Sequence, residues 1–386
     1  MKSNFYQTAG LLACCLFLLI SAQAAHGDSS ILIPPAPKIA AKSYYLIDFD
    51  SGSILANHNS EEKLAPASLT KIMTAYVVFR ELVSGNLKLD DEVTISKKAW
   101  KTPGSRMFVE VNKRVTVEKL LKGMIIQSGN DASVALAEHI AGDEETFAEL
   151  MNQQAARLGM VNSHFTNSMG LPSSEHYMTA QDLALLTRVL ISEFPDFYSW
   201  HAIREFTFNG IKQRNRNKLL WRDDTVDGVK TGHTEEAGYC LVASALRDDM
   251  RLISVVLGAA SVSSRASANQ TLLNYGFRFF ETRQLYSIND TIQDLPVWKG
   301  DVDEVAVGTR RDIYVTVPRR HVKDLKETIS INDKVVAPLT KGKALGMLSI
   351  QLGDKTLVKE PLITLKAVAQ GGIFKQLYDE ARLRFK

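Results

Sequence analysis

Cysteine is nearly missing from this chain. Three occur in 386 residues; Cys14 and Cys15 fall in an apolar leader, so a chain that loses the leader keeps Cys240 alone and a disulfide-stapled fold is excluded. An exported protein without disulfides fits a bacterial envelope better than an animal extracellular module. Charge of one sign is also absent, because 46 Lys+Arg against 43 Asp+Glu leave net +3 without long basic blocks, which argues against nucleic acid as a partner. The apolar run Gly10 to Ile20 is too brief for a comfortable membrane span. His26, His58, His139, His164, His176, His201 and His321 are scattered, with no H-E-x-x-H and no paired carboxylates at ligand spacing. No phosphate-cradling glycine loop and no internal repeat is visible. No metal and no cofactor is therefore expected.

What remains suits a large globular chain. At 45% hydrophobic content, 386 residues can bury a full core and should divide into domains. Met1-Lys2, the apolar run and Ser21-Ala22-Gln23-Ala24 read as a secretory signal over 1–24. Ser43 to Phe49 and Ser53 to Ala56 alternate as a hairpin, and Tyr239 to Leu246 and Leu252 to Gly258 as another. Between them lie helical stretches: the Ser68 segment to about Leu82, Val117 to Ile126, Asp131 to Ala141, and one opened by Thr179-Ala180-Gln181-Asp182. Another follows from Ala266 to Phe280. Early strands, a helical block and late strands predict an α+β domain over 25–282, with one antiparallel sheet flanked by helices. Over 283–370, short strands such as Ile313 to Val317, Leu345 to Leu352 and Leu362 to Ala367, separated by Gly353-Asp354 and Pro361, predict a small all-β domain. In 371–386, Ile373, Phe374, Leu377, Tyr378, Ala381 and Phe385 recur at helical spacing beside Lys375, Arg382, Arg384 and Lys386. That pattern predicts an amphipathic helix in peripheral contact with a membrane, or an ordinary helix packed on its own domain.

Three short clusters could do chemistry. In Pro66-Ala67-Ser68-Leu69-Thr70-Lys71, a hydroxyl and an amine three residues apart share a helix face. Burial of Lys71 among apolar neighbours would lower its pKa and suit it to take the Ser68 proton, while amides at the helix start would favour an oxyanion. The same tetrad also fits a helix cap followed by an exposed lysine. Ser128-Gly129-Asn130 interrupts two helices and could point side chains into a cleft, or be a simple turn. Lys230-Thr231-Gly232, followed by His233, offers an ammonium, a hydroxyl and a side-chain-free backbone along a strand edge.

In that order, S-x-x-K, S-x-N and K-T-G form the motif set of penicillin-binding proteins and serine β-lactamases. The sequence resembles the low-molecular-mass D-alanyl-D-alanine carboxypeptidases, the penicillin-binding protein 5 and 6 group, over nearly the whole mature chain. The resemblance implies a serine hydrolase of the five-stranded transpeptidase-like fold that trims the last D-alanine from peptidoglycan stem peptides ending in D-Ala-D-Ala. β-Lactams would be covalent inhibitors, and the site would be the periplasmic face of the bacterial inner membrane. Carried onto this chain, Ser68, Lys71, Ser128 and Lys230 would be catalytic. Asn130, Thr231, Gly232, His233, Arg265 and Arg216 would bind substrate, with the Ser68 and His233 amides as the oxyanion hole and Thr231 and Arg265 on the terminal carboxylate. Two positions depart from the pattern: Cys240 stands where Asn is common, and Met169 where His is frequent. The alternatives are a β-lactamase, which would need a deacylating glutamate that neither Glu175 nor Glu193 supplies in the expected context, and a non-catalytic sensor.

Overall fold

The computed structural model describes residues 33–331 and 334–384, so the leader expected over 1–24 lies outside the described residues. The central sheet begins with β1 (Ser43–Asp48) and β2 (Ile54–His58), joined through the turn at Gly52. Two small ribbons follow, β3 (Glu92–Thr94) with β4 (Arg114–Thr116) and β5 (Glu205–Phe208) with β6 (Ile211–Arg214). Then come β7 (Val226–Thr234), β8 (Gly238–Arg247) and β9 (Met250–Ala259). The main sheet runs β2-β1-β9-β8-β7 and is antiparallel throughout.

The two-residue period of a strand decides which side each residue serves. Tyr45, Ile47, Val242, Ile253, Val255 and Leu257 face one core; Tyr44, Leu46, Leu241, Ala243, Leu252 and Val256 face another. Both faces are covered, which is why β8 and β9 read as near-continuous apolar runs. The first core takes the helical block: α1 (Lys71–Val83), α2 (Lys97–Lys101), α3 (Val117–Lys122), α4 (Asn130–Ala141), α5 (Glu144–Leu158), α6 (Ala180–Glu193) and the short α7 (Pro195–Tyr198). The second takes α8 (Val262–Phe279) through Leu272, Leu273 and Phe277. As the sequence predicts, Thr179 caps α6 by accepting from the Asp182 amide at 3.0 Å. The Asp182 carboxylate turns outward to Ser163 Oγ, at 2.7 Å, and to the Asn162 amide.

From residue 280 to the terminal helix the regular structure is almost entirely strand. β10 (Phe280–Tyr286) pairs with β13 (Ile313–Pro318), while β11 (Gln293–Pro296), β12 (Glu304–Gly308), β14 (Leu325–Ile331), β15 (Ala344–Leu352) and β16 (Lys355–Thr364) form a sheet in the order β11-β12-β16-β15-β14. Pro361, expected to separate strands, lies inside β16. It is tolerated because β12 pairs only with Ile363 and Thr364, leaving the N–H side at position 361 without a ladder partner. From Pro35 onward the described residues form one compact unit. The β1–β2 turn meets the β10–β13 pair through polar side chains: Thr282 Oγ1 donates to the buried Asp48 carboxylate at 2.7 Å, and Thr316 Oγ1 lies 2.6 Å from Ser51 Oγ and 2.8 Å from Thr282 Oγ1.

The terminal helix α9 (Ile373–Arg384) packs on the β-rich part by its polar side. Asp379 is buried and accepts the Lys299 amide at 2.7 Å, Lys299 also pairs with Glu380, Lys375 pairs with Asp303, and Arg382 covers the Trp298 ring. Ile373, Phe374, Leu377 and Tyr378 are left exposed, Phe374 by 86%. The amphipathic helix is present, and its apolar side faces away from its own domain. Among the described residues no helix is long and apolar enough to cross a membrane.

Candidate active site

Ser68 lies in a tight 3₁₀ turn, Ala67–Thr70, that runs directly into α1. The turn is held from several sides. Ala67 adopts φ +49°, a strained conformation for a residue with a side chain. Gly170, at φ +86°, passes so close that a Cβ there would stand 1.8 Å from the Ala67 carbonyl oxygen. The buried His176 accepts the Thr166 amide on Nδ1, so its Nε2 carries the proton and donates to Thr70 Oγ1 at 2.8 Å. Burial pushes this imidazole down to about 4, keeping it neutral.

α1 is buried continuously from Lys71 to Phe79, and Lys71 is 1% exposed. Its Nζ lies 2.9 Å from Ser68 Oγ, 2.7 Å from Asn130 Oδ1 and 2.8 Å from the Met169 carbonyl oxygen. Burial, with Arg216 adding repulsion, lowers this amine to about 7. Two of its N–H groups go to carbonyl-type oxygens, which can only accept; the Ser68 hydroxyl can accept from the amine or, once the amine is neutral, donate to its lone pair. An exposed lysine behind a helix cap, the bland reading of S-x-x-K, is not what the chain builds.

The second cluster sits where α3 passes through a π-turn, Gly123–Gln127, before α4. That bulge ends with Ser128 at φ +68°, aiming its side chain into the cleft. Ser128 Oγ accepts from Lys230 Nζ at 2.9 Å. Asn130 donates one amide N–H to the Pro103 carbonyl at 2.7 Å while its oxygen holds Lys71, leaving one N–H free for a ligand. The third cluster lies on β7. Lys230 is buried, donates also to the Thr231 carbonyl, and is held well below the usual lysine value by desolvation, with Lys71 contributing. Gly232 has a structural reason beyond room for a ligand: a Cβ there would come within 2.8 Å of the Pro66 carbonyl oxygen, so only glycine lets β7 lie against the Ser68 turn.

Arg265, on α8, is 6% exposed and donates to the carbonyls of Gly232 and Cys240 at 2.8 and 3.3 Å. Arg216 donates to the Gln127 carbonyl at 2.9 Å. Ser68, Ser128, Asn130, Arg216, Thr231, Gly232, His233 and Arg265 line one cavity of about 390 Å³, with Lys71 and Lys230 bonded to its lining side chains. All ten residues singled out in the sequence therefore converge. Of the two glutamates weighed above, Glu193 is committed to the Tyr76 hydroxyl and Arg157, and Glu175 does not line the cavity. Sequence reasoning passed over Asp131, a buried carboxylate that accepts the amides of Met107, Phe108, Val109 and Ala132 and so fixes the loop bordering the cleft. An acid immediately after a motif and before an apolar helix was the available signal.

An antiparallel sheet covered by helices, with a serine–lysine pair in a turn against its edge strand, defines the class of active-site serine enzymes that react with penicillin. Within that class, the chain belongs to the D-alanyl-D-alanine carboxypeptidase family, whose model matches residues 31–261, followed by a match to the penicillin-binding protein 5 C-terminal domain over residues 280–370. It is a serine-type carboxypeptidase. The D-alanyl-D-alanine carboxypeptidase DacC of Escherichia coli (strain K12) is 44% identical over 384 residues, covering 97% of this chain and 96% of the relative. Penicillin-binding protein 5 from Haemophilus influenzae superposes with TM-score 0.85 at 39% identity, covering 88% of this chain and all of that one. Penicillin-binding protein D2 from Listeria monocytogenes, solved in an ampicillin-bound form, matches with TM-score 0.59 at 30% identity over 63% of this chain and 100% of its own.

Proposed function

We propose that the chain removes the terminal D-alanine from peptidoglycan stem pentapeptides in two steps, with the following assignments. Lys71, as the neutral amine, takes the Ser68 proton while Ser68 Oγ bonds to the penultimate D-Ala carbonyl carbon. The oxyanion sits between the Ser68 and His233 amides, donors whose attraction grows as charge develops. Ser128, polarised by Lys230, gives its hydroxyl proton to the leaving amine as the C–N bond breaks and is reprotonated by the proton that Lys71 took from Ser68. Thr231 and Arg265 hold the substrate carboxylate by charge-assisted hydrogen bonds, and Asn130 holds its backbone. Water then hydrolyses the ester and restores the Ser68 hydroxyl. β-Lactams acylate the same oxygen and are covalent inhibitors.

The observation that carries this reading is the placement of the Lys71 amine, buried with its Nζ 2.9 Å from Ser68 Oγ and held there by the Asn130 side-chain oxygen and the Met169 carbonyl. Labelled penicillin should attach to the wild type, and Ser68→Ala should abolish labelling while leaving the far-UV spectrum and melting temperature intact. Labelling that survives the substitution would overturn the assignment. A diacetylated Lys-D-Ala-D-Ala tripeptide should lose one D-Ala; rapid penicillin release without D-Ala release would instead mark a β-lactamase, and acylation with neither a sensor.

The same proposal covers the setting. Residues 1–24 act as an export signal, 25–282 form the catalytic domain and 283–370 the β-rich domain. Residues 371–386 hold the enzyme peripherally on the periplasmic face of the bacterial inner membrane. The outward apolar side of α9 supports that last step.

A further inference from the structure

The catalytic amine has one partner outside the three motif clusters, the Met169 carbonyl, 2.8 Å from Lys71 Nζ. That carbonyl sits on a loop without helix or strand, closed at its base by the antiparallel bridge between His164 and Tyr177. The adjoining Met178 pairs with Leu64, just ahead of the Ser68 turn. Inside the loop, the Asn167 side-chain oxygen accepts the amides of Met169, Gly170 and Leu171 at 3.2, 2.7 and 3.0 Å, which sets the direction of the Met169 carbonyl. The Ser168 amide and hydroxyl donate to the buried Glu144 carboxylate, and the Ser168 carbonyl accepts from Thr74 Oγ1 at 2.6 Å. Apart from Lys71 itself, the polar tie between this loop and the Ser68 turn among the described residues is His176. Its ring is 2% exposed and does not line the cleft. Nδ1 accepts the Thr166 amide at 3.1 Å and lies 3.3 Å from the Asn167 side-chain nitrogen, Nε2 donates to Thr70 Oγ1 at 2.8 Å, and the Phe165 ring meets it edge-on. A neutral imidazole carries one acceptor and one donor on a rigid ring, so it serves as a strut of fixed length.

We propose that His176 is a positioning residue for acylation: by bridging the Thr70 hydroxyl to the loop that carries the Met169 carbonyl, it sets the approach of the Lys71 amine to Ser68 Oγ and acts on proton transfer, not on ligand binding. Lys71 Nζ takes the hydroxyl proton as Ser68 Oγ bonds to the carbonyl carbon; His176 gives and takes nothing. Its effect is geometric, and geometry is costly here, because a misplacement of about 1 Å costs on the order of 100-fold in rate. Without the strut the Thr166 amide and the Thr70 hydroxyl lose their shared partner, and the loop loses its hold on the turn.

The inference rests on the Ser68 reading above, and the test keeps the two apart. Rates of acylation against penicillin concentration give a limiting rate constant and a half-saturating concentration for the wild type, His176→Phe, His176→Gln and Thr70→Val. His176→Phe keeps a ring and removes both polar atoms; it should lower the limiting rate constant by about ten-fold or more and move the half-saturating concentration by less than about two-fold. His176→Gln restores an acceptor and a donor and should return the rate constant to within about three-fold of wild type. Thr70→Val removes the other end of the strut and should match His176→Phe, with the double variant no more than about two-fold slower than either single. Wild-type rates in a folded His176→Phe, a loss confined to the half-saturating concentration, or equal losses in His176→Phe and His176→Gln each overturn the inference and leave Ser68 as the nucleophile. Should His176→Phe fail to fold, Thr70→Val decides, and a wild-type rate there overturns the inference. A wild type that penicillin does not acylate at Ser68 overturns the Ser68 reading, and this one with it.

Discussion

The Lys71 amine can act as a base only when it has lost its extra proton, so acylation is gated by its titration near pH 7. Burial lowers its pKa, and the active form is the deprotonated one; the rate therefore rises with pH and levels off above about 7. Below that it should fall roughly ten-fold per unit. Second-order rates of penicillin acylation across pH 5 to 9 measure this, and a flat profile would remove Lys71 as the base. Backbone at Gly170 gives a second residue-level prediction. With φ +86° and 1.8 Å between its virtual Cβ and the Ala67 oxygen, Gly170→Ala should cost roughly 2 kcal/mol or more and slow acylation by displacing the Ser68 turn. Thermal melts and penicillin labelling read both effects. At this scale much was legible. Ser68, Lys71, Ser128 and Lys230 are chemical types at fixed spacing, and spacing survives into the fold. The role of Arg265 came from the family resemblance alone, because a charged residue near a helix start reads as solvated and only tertiary packing of α8 on β8 buries it.

Elements place those residues, and they differ in how openly the sequence announces them. The hairpins β1–β2 and β8–β9 were plain from their turn residues, although β8 and β9, buried on both faces, carry apolar runs more than the alternation expected of them. The π-turn before Ser128 was not, since one extra residue in a helix leaves the apolar pattern almost unchanged. The β16 strand was cut short at Pro361 because sequence cannot tell an edge from a centre. The terminal helix was legible as amphipathic, but its period does not say which side turns inward; Asp379, Lys375 and Lys299 decide it. Its exposed Phe374 and Leu377 lead to a third prediction. Phe374→Glu with Leu377→Glu should reduce co-sedimentation with anionic vesicles by about ten-fold or more, from lost apolar burial and added repulsion. Tripeptide hydrolysis in solution should be unchanged, and undiminished vesicle binding would remove α9 as the contact.

Across the whole molecule, the catalytic part and the β-rich part are joined by a polar seam, Asp48 and Ser51 against Thr282 and Thr316. Such a seam specifies one orientation, since each hydroxyl left without its partner costs about 1–3 kcal/mol. Asp48→Ala should therefore lower the melting temperature and separate one calorimetric transition into two, whereas a single unshifted peak would show that the seam couples nothing. Cys240 bears on the same cooperativity. Its thiol, on β8 itself, is fully buried, donates to the Ala237 carbonyl, and is pushed up to about 11 by desolvation. A maleimide has no route to it while the sheet is closed. This sulfur thus acts as a silent timer, alkylated only when the sheet opens, and the rate of its modification under mild stress counts the excursions of the native enzyme toward unfolding.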